Sequence, residues 1–198
     1  MRNIGLVGRR RTGKDTIAAH LVNQHGYVRV AFADALKDAA LALDPIVTTA
    51  GDVFAPHYRD PASPLRLAEV VRVFGWEYAK DRFPEVRRIL QHMGESIRSV
   101  IGDHAWRNVA LSRIAEAEAA GRPVVVSDVR YPDEADALRD RGFLLVRLVR
   151  RQDERSEADS HASEQLPDAI DVDWTVNNGG TVPDLLRYAD ALITVRVH

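Results

Sequence analysis

Gly8, Gly13 and Lys14 fall in the spacing GxxxxGK within "GLVGRRRTGKDTIAAHL", residues 5–21. Two glycines let the backbone curl so that several N–H groups turn inward, and the lysine places a full positive charge where a helix pattern begins. Together they suit the β- and γ-phosphates of a nucleoside triphosphate. A strand-like apolar run, Ile4 to Val7, precedes the loop, and a helical pattern follows it, as such a cradle requires. Arg11, Thr12 and Thr16 share the loop and first turn and join the candidate ATP-binding set. Asp15 stands where this pattern usually carries a hydroxyl that binds Mg²⁺. Its carboxylate is a hard oxygen ligand, although an acidic group is also favoured in the first turn of any helix.

A second cluster lies in "VVVSDVRYPDEA". Ser127 and Asp128 close a run that reads as a buried strand, and the carboxyl ends of strands form the active edge of an open α/β sheet. Asp128 is a candidate metal residue, directly or through water. Pro132 at a first helical position makes Tyr131 the N-cap, which leaves Asp128 too far upstream for that duty. Arg130, two residues on, can either pair with Asp128 or bind an acceptor phosphate. In "AFADALK", Asp34 reads equally as an N-cap or a site residue, and Lys37 one turn later can hold an anion. In "RILQHMGESIR", Gln91, Glu95 and Arg98 share a helical face that either reads a base edge or is solvated. Arg150 and Arg151 open a polar segment, residues 150–166, that reads as a lid carrying arginines. "NNGG", from Asn177 to Gly180, is a turn by composition and is placed to wrap a nucleobase.

The elements that must position these residues alternate. Strands are expected at Ile4–Val7, Tyr27–Phe32, Val124–Ser127, Leu144–Val149 and Trp174–Val176. Helices are expected at Lys14–Gln24, Asp34–Leu43, Pro84–Ile101, Asp103–Ala120, Pro132–Arg141 and Asp184–Ala191. The stretch from Asp44 to Pro64 carries four prolines and reads as a long irregular insertion. Alternation of this kind implies α/β architecture with a mainly parallel sheet covered on both faces. The 198 residues, 45% hydrophobic, suffice for one domain. Net charge is −2, from 27 basic and 29 acidic side chains, so no overall basic footprint for nucleic acid exists. Absence of cysteine removes thiolate zinc sites and suits a cytoplasmic address. No apolar run reaches the ~20 residues of a membrane span, and no leader segment is apparent.

The motifs "GRRRTGKDT", "FADALK", "LQHMGESIR", "SDVRYPDEADALRDRG" with "VRLVRR", "HASEQL" and "NNGG" sample most of the chain. As a set they resemble the bacteriophage deoxynucleoside monophosphate kinases, within the P-loop nucleoside monophosphate kinase fold. The resemblance implies a three-layer α/β/α fold with a five-stranded sheet. It implies a helical acceptor-binding region over residues 34–120 and a lid over 150–166. It implies ATP as co-substrate, Mg²⁺ as cofactor and deoxynucleoside monophosphates as acceptors, with Lys14, Arg130, Arg150 and Arg151 catalytic. Asp34, Lys37, Gln91, Glu95, Arg98 and Arg130 would then bind the acceptor, and Asn177 and Asn178 the adenine. The product diphosphates would supply (phage) DNA synthesis. The apolar stripe on Pro84–Ile101, with the resemblance, points to a homodimer.

Physical chemistry favours a phosphate acceptor. A nucleoside monophosphate has a second pKa near ~6 and is mostly a dianion at pH 7. It needs cations rather than a general base. Two other readings use the same cradle. A kinase of an alcohol such as dephospho-coenzyme A would need a base, and Asp34 is placed to be one. A nucleotide-dependent switch or motor would need a residue that positions water, and none is identifiable.

Overall fold

The structure is a computed structural model that describes residues 1–52, 62–102, 104–150 and 166–194. The chain forms two compact units. One comprises Met1–Phe32 with Arg107–His198, and the other Ala33–Trp106.

The first unit is built on a parallel sheet of β1 (Ile4–Val7), β2 (Val28–Val30), β5 (Val124–Val129), β6 (Leu144–Val149) and β7 (Trp174–Asn177). The spatial order is β2-β5-β1-β6-β7, and every pairing is parallel. All carboxyl ends therefore lie on one edge, with β1 at the centre. Alternation along the strands sends side chains to two cores. Ile4, Leu6, Val125, Leu144, Val146 and Leu148 pack with Ile17, Ala18 and Leu21 of α1 (Lys14–His25). Leu185, Ala189 and Leu192 of α7 (Val182–Thr194) complete that layer. Val124, Val126, Val129 and Leu145 face the other way. They meet Ala110, Ile114 and Ala117 of α5 (Ala105–Ala119), and Ala135 and Leu138 of α6 (Pro132–Arg139). The result is the expected three-layer α/β/α arrangement.

Local signals set most boundaries. Gly13 and Gly26, both left-handed, open and close α1. Pro132 opens α6 behind Tyr131, as expected. The helix expected at Asp34 begins earlier. α2 (Phe32–Leu43) starts at Phe32, whose N–H is received by Asp128 Oδ1 at 2.8 Å. A carboxylate from a distant strand thus caps this helix, and Asp34 falls in its first turn instead.

The second unit carries a small antiparallel pair, β3 (Ile46–Thr49) and β4 (Pro64–Arg66), inside the stretch expected to be irregular. Next come α3 (Leu67–Arg82) and α4 (Pro84–Val100). Asp44, at φ 46°, joins α2 to this layer. Its N–H is donated to Ala40 O, and its Oδ1 accepts the N–H of Ala68 at 2.8 Å. The apolar stripe of α4 lies against this unit's own core, with Val86 buried and Ile89, Leu90 and Met93 packed on Leu67, Val70 and Phe83. The stripe is thus partly covered within the chain. α5, expected within the acceptor-binding region, packs on the sheet of the first unit. No described helix is long and apolar enough to cross a membrane.

Candidate active site

The loop between β1 and α1 has two positions that only glycine fits. Gly8 has φ 144°, and a Cβ there would lie 2.6 Å from Leu148 O. Gly13 has φ 103°, and its Cβ would lie 2.8 Å from both Asn178 Nδ2 and Leu185 Cδ2. Neither residue could carry a side chain without displacing the neighbouring strand or turn. Lys14 is buried, and its Nζ donates to Gly8 O at 2.7 Å and Arg9 O at 2.6 Å. Thr12 is buried as well and donates its hydroxyl to Arg9 O at 2.9 Å. Arg9 pairs with Asp168, whereas Arg11 is exposed at the tip with φ 62°.

A cleft of about 240 Å³ opens over the start of α1. Arg11, Gly13, Lys14, Asp15 and Thr16 line it from the loop side, and Arg150, Asn178, Gly180, Val182 and Leu185 from β6, β7 and α7. The structure therefore brings together most of the nucleotide set read from the sequence. Cations from two elements face a helix N-terminus, which favours a polyphosphate. Val182 and Leu185 add an apolar wall that the motif search did not pick out. Asn178 has a second duty that composition does not reveal. Its Nδ2 donates to Thr12 O at 2.9 Å, and its backbone N–H to Val149 O at 2.7 Å, so it braces the cradle against the end of β6. Asn177, the last residue of β7, is exposed and outside the cleft lining. Arg151 and the rest of the lid to residue 165 lie outside the described residues.

The Gly8 and Gly13 positions have no room for a Cβ, which keeps the loop backbone close to the end of β6 and to the start of α7. Asp15 and Thr16 offer hard oxygens beside Lys14, a donor set suited to Mg²⁺. Asp128 is half-buried at the end of β5, with Oδ1 engaged by Phe32 N–H.

β5 is irregular at this point. Gly5 pairs with Val126 but Val7 with Val129, so β5 carries one extra residue around Ser127 and Asp128. Such a bulge re-aims side chains at a strand end. Val126 and Val129 both stay in the same core, while the buried Ser127 hydroxyl has no hydrogen-bond partner among the described residues. Beyond it, Glu134 is a buried carboxyl that accepts the N–H groups of Arg130 at 2.9 Å and Tyr131 at 3.1 Å. Burial first, then the charge of Asp128, push its pKa up to about 8 against the pull of those N–H groups. It is thus mostly neutral at pH 7, and it fixes the backbone that carries Arg130. The sequence signal was the glutamate three residues after the Tyr131 cap.

The remaining candidates belong to the second unit. Lys37 Nζ lies 3.6 Å from Asp34 Oδ1 and 5.9 Å from the centre of the Trp76 ring. Gln91 and Glu95 are exposed on α4, and Arg98 on the same helix is half-buried.

A parallel sheet in this order, with a GxxxxGK loop between its central strand and the next helix, defines the P-loop kinase fold. A family model for deoxynucleotide monophosphate kinase matches residues 69–188. The chain belongs to the deoxynucleotide monophosphate kinase family. A protein of Acanthamoeba polyphaga mimivirus, "Putative deoxynucleotide monophosphate kinase", is 27% identical over 190 residues, covering 91% of this chain and 90% of its own. Among solved structures, the shikimate kinase of Aquifex aeolicus is similar at a TM-score of 0.48 and 12% identity, over 97% of this chain and 96% of that one. The shikimate kinase of Acinetobacter baumannii is similar at a TM-score of 0.47 and 16% identity, over 98% of this chain and 93% of that one.

Proposed function

We propose that this chain transfers the γ-phosphoryl group of ATP to a deoxynucleoside monophosphate, giving ADP and the deoxynucleoside diphosphate as a precursor for DNA synthesis. The observation that carries the reading is the cleft where Lys14, Arg11 and Arg150 converge on the N-terminus of α1, in a member of this family. A phosphate oxygen of the acceptor attacks the γ-phosphorus while the bond to the β-γ bridging oxygen breaks. Both partners are anionic, so the chemistry asks for cations around the transferring group. Lys14 and the loop N–H groups hold the ATP phosphates. In this reading Arg150 and Arg151 act on the transferring group, and Arg130 orients the acceptor phosphate. Bound Mg²⁺, held by Asp15 and by Asp128 directly or through water, would neutralise charge on the β- and γ-phosphates. In this reading Asn178, which lines the cleft, flanks the adenine, and Asn177, its neighbour outside that lining, joins it from the same turn. On the second unit, Asp34, Lys37, Gln91, Glu95 and Arg98 form the acceptor-binding set.

A coupled assay tests this with ATP and Mg²⁺ against the four deoxynucleoside monophosphates, a ribonucleotide and dephospho-coenzyme A. Turnover of at least one deoxynucleotide, reduced by roughly 10³ or more in Lys14→Ala with the circular dichroism spectrum intact, is the expected result. Turnover of dephospho-coenzyme A alone, abolished by Asp34→Asn, would replace the acceptor with an alcohol. ATP hydrolysis that needs no acceptor would replace the kinase with a switch or motor.

A further inference from the structure

On α1 and α7, away from the residues that line the cleft, two imidazoles meet one carboxylate. His20 Nε2 lies 2.7 Å and His25 Nε2 2.8 Å from the same oxygen, Asp190 Oδ1. The three ligand atoms lie within 4.8 Å of one another, and the two rings meet edge to face with centroids 5.5 Å apart. Two imidazole nitrogens and a carboxylate oxygen form a donor set taken by divalent ions of borderline softness, Zn²⁺ foremost. From this juxtaposition we propose that His20, His25 and Asp190 form a transition-metal site that staples α1 to α7.

The geometry needs little change. A tetrahedral Zn²⁺ with bonds of about 2.0–2.1 Å holds its ligand atoms about 3.3 Å apart. The two nitrogen–oxygen separations, 2.7 and 2.8 Å, would open by roughly half an ångström, and the two imidazole nitrogens, within 4.8 Å of each other, would adjust to the same spacing by side-chain rotation. Access is not blocked, since the side chains of His20, His25 and Asp190 are 16%, 29% and 51% exposed. Solvent takes the fourth position. The helices already share a core through Ile17, Ala18 and Leu21 against Leu185, Ala189 and Leu192, so the ion finds its ligands positioned rather than ordering them. Hard ions such as Mg²⁺ prefer an all-oxygen shell and do not compete.

The ion would act at a distance from the phosphates but on both walls of the cleft. α1 begins with Lys14, and α7 contributes Val182 and Leu185 to the lining. Its expected effect is on stability rather than on turnover.

Untagged protein stripped with chelator is titrated with Zn²⁺ by calorimetry and with Co²⁺ by visible absorption, each in excess Mg²⁺. Expected are one ion per chain, intense Co²⁺ bands of a four-coordinate site, and their loss when Zn²⁺ is added. At Zn²⁺ a hundredfold above its Kd, Tm rises by roughly 5–10 °C. His20→Gln with His25→Gln, and separately Asp190→Asn, weaken binding tenfold or more and remove the Tm gain. Both remain folded by circular dichroism and keep wild-type turnover with Mg²⁺ and ATP. Absence of saturable binding to the wild-type chain would overturn the proposal, as would variants that bind as tightly as the wild type. Should the double variant unfold, Asp190→Asn decides alone, because an amide retains the shape and the hydrogen bonds.

Discussion

The most exacting residues are those whose neighbours leave no alternative. Gly8 and Gly13 are of this kind, and the sequence announced them through the loop spacing. Asn178 is different. Its place in the NNGG turn suggests a contact with adenine, but its amide also holds Thr12 O. Asn178→Ala strands that carbonyl and frees the turn. A lost hydrogen bond of about 1 kcal/mol corresponds to a rise in KM for ATP of roughly fivefold, with kcat nearly unchanged, as steady-state kinetics would register. Residue roles that need only local spacing were legible, such as Lys14 at the head of α1 and Tyr131 before Pro132. Roles that depend on what the chain brings from afar were not, as with Asp128 receiving the N–H of Phe32. Ninety-odd positions separate those two partners, and no local pattern links them.

Among the elements, the sheet of the first unit and the helices α1, α4 and α6 were expected close to where they stand, because each keeps one period between clear start and stop signals. α3 was not expected. Gly75, at φ 77°, breaks it and shifts the phase of its apolar positions, so no single 3.6-residue pattern runs through it. The pair β3 and β4 was hidden by the prolines around it, although Pro64 as the first residue of a two-stranded edge costs no ladder bond. Asp44 connects these pieces by a left-handed turn and a cap on Ala68 N–H. Asp44→Ala loses the cap and strains the turn, at about 2 kcal/mol in all. Tm should fall by roughly 4–8 °C in a thermal melt. Asp44→Gly relieves the backbone but not the cap, and should recover only part of that loss.

For the molecule as a whole, the near-zero net charge conceals local organisation. Arg11, Lys14 and Arg150 gather at the cleft in a chain whose total is −2. In the same unit, the buried Glu134 has a pKa pushed up to about 8, against ~4.3 in an unfolded chain. Between those values the folded chain keeps a proton that the unfolded chain has released. Stability contributed by this group is therefore full at the acid end and declines as pH rises, by up to ~1.4 kcal/mol per unit, levelling above pH 8. Glu134→Gln keeps an oxygen for the N–H groups of Arg130 and Tyr131 and removes the titration. Denaturant melts should show the variant gaining on the wild type steadily from pH 5 to pH 8. A constant difference across that range would place the proton elsewhere.

The polypeptide leaves the first unit at Phe32 and rejoins it at Arg107. Everything between is an interpolated module that holds none of the loop between β1 and α1. Under the proposed function, mutations that retune the acceptor have a separate compact stretch of sequence in which to accumulate. The clientele can then be rewritten there while the loop that would hold the triphosphate stays intact.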